Sequence, residues 1–154
     1  MTLDSQQKEL LGRAALEACL IKNGFEVARA HRDKGIDLIV FLDEPRRPFV
    51  ARPIQLKASS GARFGLERKY ARMTGLILAY AWNIQDAPRF FLMRYDEAES
   101  LMPAEAKETS SWKNGGYSWP KAPEGIRLKL EKDYENRWAW LRTELEKDWR
   151  NEGR

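Results

Sequence analysis

Ile36-Asp37-Leu38-Ile39-Val40-Phe41-Leu42 runs into Asp43-Glu44-Pro45-Arg46-Arg47-Pro48 and returns as Phe49-Val50-Ala51-Arg52-Pro53-Ile54-Gln55-Leu56-Lys57-Ala58. The first arm is β-branched and aromatic, the composition of a strand. Two prolines and four charges cannot continue it, so residues 43–48 reverse the chain. The second arm reads as the returning strand, with Pro53 implying an irregular or edge-exposed first half. Side chains on a strand alternate between its faces. Gln55 and Lys57 are therefore expected on one side, with Ile54 and Leu56 on the other. Asp37 opens the first arm and Gln55 and Lys57 close the second, so the hairpin brings the three together.

Outward from this hairpin the chain alternates helical and extended segments. Residues 4–23 read as a helix, capped by Asp4 or Ser5 and ended by Asn23-Gly24. Its wheel gives a core face of Leu10, Ala14, Ala18 and Ile21, widened by Leu16 and Leu20. Strands are expected at 25–28, 36–42, 49–58, 76–82 and 90–95, with a short helix or irregular arm at 63–73. A helix capped by Asp96 follows over 96–102. Residues 103–125, rich in Pro, Gly and Ser, read as a long loop, 126–130 as a short strand and 133–150 as a final helix. The expected fold is α/β: a central mixed sheet flanked by helices. One domain is expected over 1–154, with its core at about 4–102 and a C-terminal loop and helix at 103–154.

Composition narrows the function. Of the 154 residues, 43% are hydrophobic and 32% charged, which excludes a disordered chain. No apolar run reaches the roughly 18 residues of a membrane span. The N-terminus lacks a basic-then-apolar signal, so the expected compartment is the cytoplasm. A lone cysteine, Cys19, excludes an internal disulfide and a cysteine-cluster metal site, and is expected as a small core residue. The formal charge is +4, and residues 25–75 hold eleven bases against six acids. A local basic excess suits a polyanion or serves solubility.

An acid, an amide and an ammonium converging on one strand face have a chemistry. Oxygen donors from Asp37 and Gln55 suit Mg²⁺ or Mn²⁺ in preference to zinc. Such an ion would polarise a phosphate oxygen and lower the pKa of bound water. Lys57 could orient that water or stabilise charge building on phosphorus. Glu17 falls inside the apolar arc of the first helix and needs a partner there. That partner is either the metal site or Arg13, one turn back. The bland alternatives are a turn-bonded Asp37 and a solvated strand face for Gln55 and Lys57.

Gly12-x4-Glu17, Gly35-Ile36-Asp37 and Ile54-Gln55-Leu56-Lys57 together resemble the PD-(D/E)xK nuclease superfamily, and the helix glutamate resembles its Holliday-junction-resolvase-like branch. The resemblance spans roughly residues 9–82. It implies that Asp37 is the motif aspartate, Lys57 the motif lysine and Glu17 the helix glutamate, and that the Leu56 carbonyl also ligates metal. Gln55 stands where the usual second acid lies, and Ile36 replaces the proline before Asp37. A neutral amide binds metal more weakly than a carboxylate.

The implied activity is metal-dependent phosphodiester hydrolysis of nucleic acid, DNA before RNA. The alternative is a nucleic-acid-binding module that kept the fold and lost cleavage, and an unrelated α/β structural or toxin-partner protein is a third reading. Arg29, Arg32, Lys34, Arg63, Arg68 and Lys69 flank the motif and are expected to hold phosphates, with Phe64 and Tyr70 near them to stack on unpaired bases. Arg46 and Arg47 add to that charge. His31, the single histidine, reads as a loop residue. The six tryptophans are expected to pack the C-terminal segments on the sheet. Trp138 and Trp149 share a helical face, suited to packing or a homodimer contact.

Overall fold

The computed structural model describes residues 1–32 and 34–151. Its centre is a five-stranded mixed sheet of β1 (Glu26–Arg29), β2 (Leu38–Leu42), β3 (Val50–Ala58), β5 (Ile77–Trp82) and β6 (Arg89–Arg94), in the order β1-β2-β3-β5-β6. Pairing is antiparallel except between β3 and β5, which run parallel. Helices cover both faces, an α/β arrangement consistent with the restriction-endonuclease-like class. A second, two-stranded sheet pairs β4 (Phe64–Glu67) with β7 (Gly116–Trp119).

The period-two rule divides the core. Leu38, Ile54, Leu56, Ile77 and Ala79 face α1 (Ser5–Lys22) and α6 (Trp138–Asn151), against Leu16, Leu20, Leu141 and Leu145. Leu78, Tyr80, Trp82, Phe91 and Met93 face the other way. They meet Phe64 and Leu66 of β4, Ala98 of α2 (Tyr95–Ser100), Ala106 of α3 (Ala104–Lys107), Trp112 of α4 (Ser110–Lys113) and Leu130 of α5 (Glu124–Asp133). Trp138, Trp140 and Trp149 pack against the first layer, as the expected packing role requires.

Several expected elements are corrected. The wheel of α1 is rotated: Leu10 and Ile21 are 60% and 59% exposed, Ala14 and Ala18 are exposed, and the buried line is Gly12, Leu16 and Leu20. Gly12 decides this, because a Cβ there would lie 2.6 Å from the Ala58 Cβ, so only glycine lets the helix approach β3 this closely. The "loop" at 103–125 contains α3, α4 and β7, each only four residues long and too short to show a period. Its prolines start helices instead of breaking them: Pro103 and Pro123 stand at the N-caps of α3 and α5. The "strand" at 126–130 is part of α5. Its apolar alternation imitates a strand, yet Leu130 is buried while Leu128 is 59% exposed. The last helix begins at Trp138, after a break where Asn136 takes a φ of 53°. The 63–73 arm is β4 followed by a 3-10 turn, Arg68–Arg72. Asp96 does not cap α2; it lies in the first turn paired with Arg94, while Glu97 Oε1 accepts the Arg94 N–H.

Gly12→Val should therefore destabilise the protein by about 1–3 kcal/mol, the usual cost of overpacking. Adding Ala58→Gly should recover part of that loss. Urea unfolding of the two single variants and the double variant measures the coupling, and an additive result would place the clash elsewhere.

Candidate active site

Asp37 precedes β2, at the point where its ladder with β3 ends. Its N–H donates to the Ile54 carbonyl at 2.9 Å, and its Oδ2 accepts the Leu56 N–H at 2.7 Å. The carboxylate thus serves as the acceptor that a longer strand would have supplied, which is how a residue only 8% exposed has its charge solvated. Gln55 and Lys57 project from β3 onto the second face of the sheet, beside Leu78 and Tyr80 of β5 in the parallel register. Gln55 is 8% exposed. Its Nε2 reaches the Leu56 carbonyl only at 3.4 Å, and its Oε1 is buried with no hydrogen-bond partner among the described residues. An orphaned buried acceptor costs about 1–3 kcal/mol.

These residues share a cleft of about 570 Å³. Asp37, Gln55, Leu56 and Lys57 form its floor, with Ser5 and Glu9 from α1 on one side. Gly65 and Glu67 of β4, Gly116 and Ser118 of β7 and Ser111 of α4 stand on the other. Two side chains of β5 tie β4 in place: Tyr80 Oη donates to the Gly65 carbonyl and Trp82 Nε1 to the Arg63 carbonyl, each at 2.7 Å. The two small strands pair closely, and a Cβ on Gly65 would lie 2.3 Å from the Ser118 Cβ. Both wall glycines are needed for the pairing, since a Cβ on Gly116 would meet the Leu66 carbonyl oxygen at 2.5 Å.

Lys57 Nζ donates to Glu67 Oε1 at 2.7 Å and lies 5.5 Å from the centre of the Tyr70 ring. Glu67 also pairs with Lys69 at 3.0 Å. Burial works to depress the Lys57 pKa, but the bond to Glu67 and the proximity of Tyr70 outweigh it, and the ammonium is held above its ordinary value. Burial likewise works to raise Glu67, and the two lysines outweigh it, leaving the carboxyl below its ordinary range. Lys57 is thus a fixed cation at neutral pH and not a base.

Glu17 does not line this cleft. It binds Arg29 through both carboxylate oxygens, at 2.7 and 3.0 Å, and the Arg29 bond lowers its pKa. Two helical turns separate it from Glu9, the helix acid that does line the cleft. Arg13 pairs with Glu9 and not with Glu17. Of the six expected phosphate-holding bases only Arg63 lines the cleft. Arg29 is spent on Glu17, Arg68 lies over the Trp112 ring at 5.7 Å, Lys69 bonds Glu67, and Arg32 and Lys34 are exposed beyond the cleft. His31 is exposed, and half-buried Cys19 packs on the first core layer with burial raising its thiol pKa.

Sequence reasoning missed Glu67, Glu9 and the β4–β7 wall. Glu67 had a signal: reading 64–67 as a strand alternates Phe64 and Leu66 inward with Gly65 and Glu67 outward, towards Lys57. No known family model matches the chain, and no curated protein is recognisably similar to it.

The Lys57–Glu67 pair has a defined pH window. The raised Lys57 pKa contributes stability below the ordinary lysine value, lost as pH rises through its folded value. The depressed Glu67 pKa contributes stability above the ordinary carboxylate value, lost as pH falls through its folded value. The cost of Glu67→Gln should hence be flat from about pH 5 to 10 and fade in acid. Both side chains are partly exposed, at 39% and 42%, so solvent screens the pair and that cost should stay under about 1 kcal/mol. Urea midpoints taken across the pH range check this, and a penalty that does not fade in acid would show that Glu67 stabilises the fold otherwise than through its charge.

Proposed function

We propose that this protein is a metal-dependent phosphodiesterase acting on nucleic acid, DNA before RNA, and that its relation is to the PD-(D/E)xK nucleases. The observation that carries the reading is the floor of the cleft: a buried carboxylate, a buried unpartnered amide oxygen and a cation held protonated, all on one sheet face.

The donor set fits a hard divalent ion such as Mg²⁺ or Mn²⁺. Asp37, Gln55 Oε1 and the Leu56 carbonyl are all oxygen donors, and the unpartnered Gln55 Oε1 is an acceptor that a cation would satisfy. Only Asp37 among these three carries charge, and no group of three His, Cys, Asp or Glu able to hold a metal occurs among the described residues. Affinity is accordingly expected to be low. When bound, such an ion supplies a water of lowered pKa and polarises a phosphate oxygen. The chain's own contribution is to hold the phosphate. Lys57, kept cationic by Glu67, offers N–H donors to negative charge growing on phosphorus. Arg63 at the cleft supplies a second cation.

Asp37→Ala should abolish Mn²⁺ binding by calorimetry together with cleavage. Lys57→Ala should keep Mn²⁺ binding and lower cleavage by about 10²–10³-fold. Gln55→Glu should tighten Mn²⁺ and raise cleavage. Unchanged affinity in Gln55→Glu would remove Gln55 from the donor set. The neutral Gln55 also favours a second reading, binding without cleavage. Wild type that binds Mn²⁺ and DNA but cuts no duplex, single-stranded or branched substrate would establish that reading.

DNA binding itself should weaken with salt, since each phosphate contact releases counterions. Filter binding between 50 and 200 mM salt, taken as about the useful range, checks this. A salt-indifferent association would remove the polyanion from the reading.

A further inference from the structure

The floor residues act on whatever the cleft admits, and the walls restrict that. A volume of about 570 Å³ lies in the range that holds a small ligand, roughly 300–1,000 Å³. α1 closes one side with Ser5 and Glu9, and the β4–β7 sheet with α4 closes the other with Gly65, Glu67, Ser111, Gly116 and Ser118. The second wall is fixed, through the Tyr80 and Trp82 bonds to the β4 main chain.

Charge points the same way. Glu9, Asp37 and Glu67 line the cleft against Lys57 and Arg63, three acids to two bases. A track for a duplex needs several cations spaced along both backbones. Here two cations face three acids, and one of the two, Lys57, is already paired with Glu67, so the cleft lacks the positive groups to follow both backbones of a duplex. Arg29, Arg32, Lys34, Arg68 and Lys69 lie outside the cleft. The lining beside the floor is small and hydroxyl-bearing, with Ser5, Ser111 and Ser118, and Gln55 Oε1 is a buried acceptor without a partner among the described residues.

Resting on the nuclease reading above, we infer that the substrate is an unpaired nucleotide, at a single-stranded end or flap, and that intact duplex is excluded from the cleft. A paired nucleotide would have to leave its stack before entering, a cost that an unpaired one does not bear.

The test measures binding by fluorescence anisotropy in EDTA and cleavage in Mn²⁺, with three DNA probes of one sequence: a single strand, a duplex with an unpaired tail, and a hairpin-capped duplex with no free end. The single strand and the tailed duplex should bind about tenfold more tightly than the capped duplex, and be cut in preference to it. Ser5→Trp and Ser118→Trp fill the mouth from opposite walls at exposed positions. Each should lower single-strand affinity by about fivefold or more while changing capped-duplex affinity by less than about twofold. Thermal melting identifies a variant that has lost its fold, and the other then carries the comparison. Wild-type probe ratios stand without either variant. Equal binding and cutting of the capped duplex would overturn the inference and leave the nuclease reading intact. Absence of binding to every probe would overturn both.

Discussion

The bond from the Leu56 N–H to Asp37 Oδ2, at 2.7 Å, sets the geometry on which the site depends. It fixes the end of β2 against the middle of β3. With the ladder register Leu38↔Ile54 it leaves only one face for Asp37, Gln55 and Lys57. Slipping β3 by one residue would turn Gln55 and Lys57 into the α1–α6 layer and bring Ile54 and Leu56 into the cleft. Burial of Ile54 and Leu56 among Leu16, Leu20 and Leu141 opposes that slip with the hydrophobic effect. Site and core are thus specified by the same register.

The parallel step from β3 to β5 has a second consequence. It sets Lys57 beside Tyr80 and places Trp82 one pair beyond the end of that ladder, and these two β5 side chains carry β4 by its carbonyls. β4 in turn brings Glu67 onto Lys57. The wall of the cleft is therefore hung from the strand next to its floor, and the cation is positioned through that chain of bonds. The hydrophobic share comes from Phe64 and Leu66, which bury on the far side of β4 while Gly65 and Glu67 face the ligand space.

How far the sequence disclosed this follows from the length and regularity of each element. The hairpin of 36–58 was legible because its strands are long, alternating and separated by a strong turn. The strands at 77–82 and 89–94 were legible as continuous apolar runs. The pole of α1 was not, since its outward Leu10, Ala14, Ala18 and Ile21 outscore the inward line, and the deciding residue is a glycine with no hydropathy to count. α3, α4, β7 and β4 escaped notice because four residues cannot display a period, and their stability is tertiary. Asp37, Gln55 and Lys57 were visible as a spacing. Glu67 carried only the four-residue alternation of 64–67, and Glu9 enters the cleft by packing between elements distant in sequence, which no local pattern encodes. Glu17 misled because a carboxylate in an apolar arc needs a partner, and Arg29 on the adjacent β1 provides one at the surface.

The remaining point is the electrostatic balance of the cleft. A buried Asp37 and a Gln55 leave the floor with one formal negative charge, where two acids would carry two. Beside it, in the wall, Lys57 is neutralised in part by Glu67, at 2.7 Å. Lys69 balances Glu67 in turn, at 3.0 Å. β4 is the element that delivers this carboxylate to the lysine, at 2.7 Å. Gln55 and Glu67 thus occupy separate halves of one electrostatic cleft: the first contributes an uncharged buried acceptor to the floor, the second a carboxylate against the Lys57 ammonium.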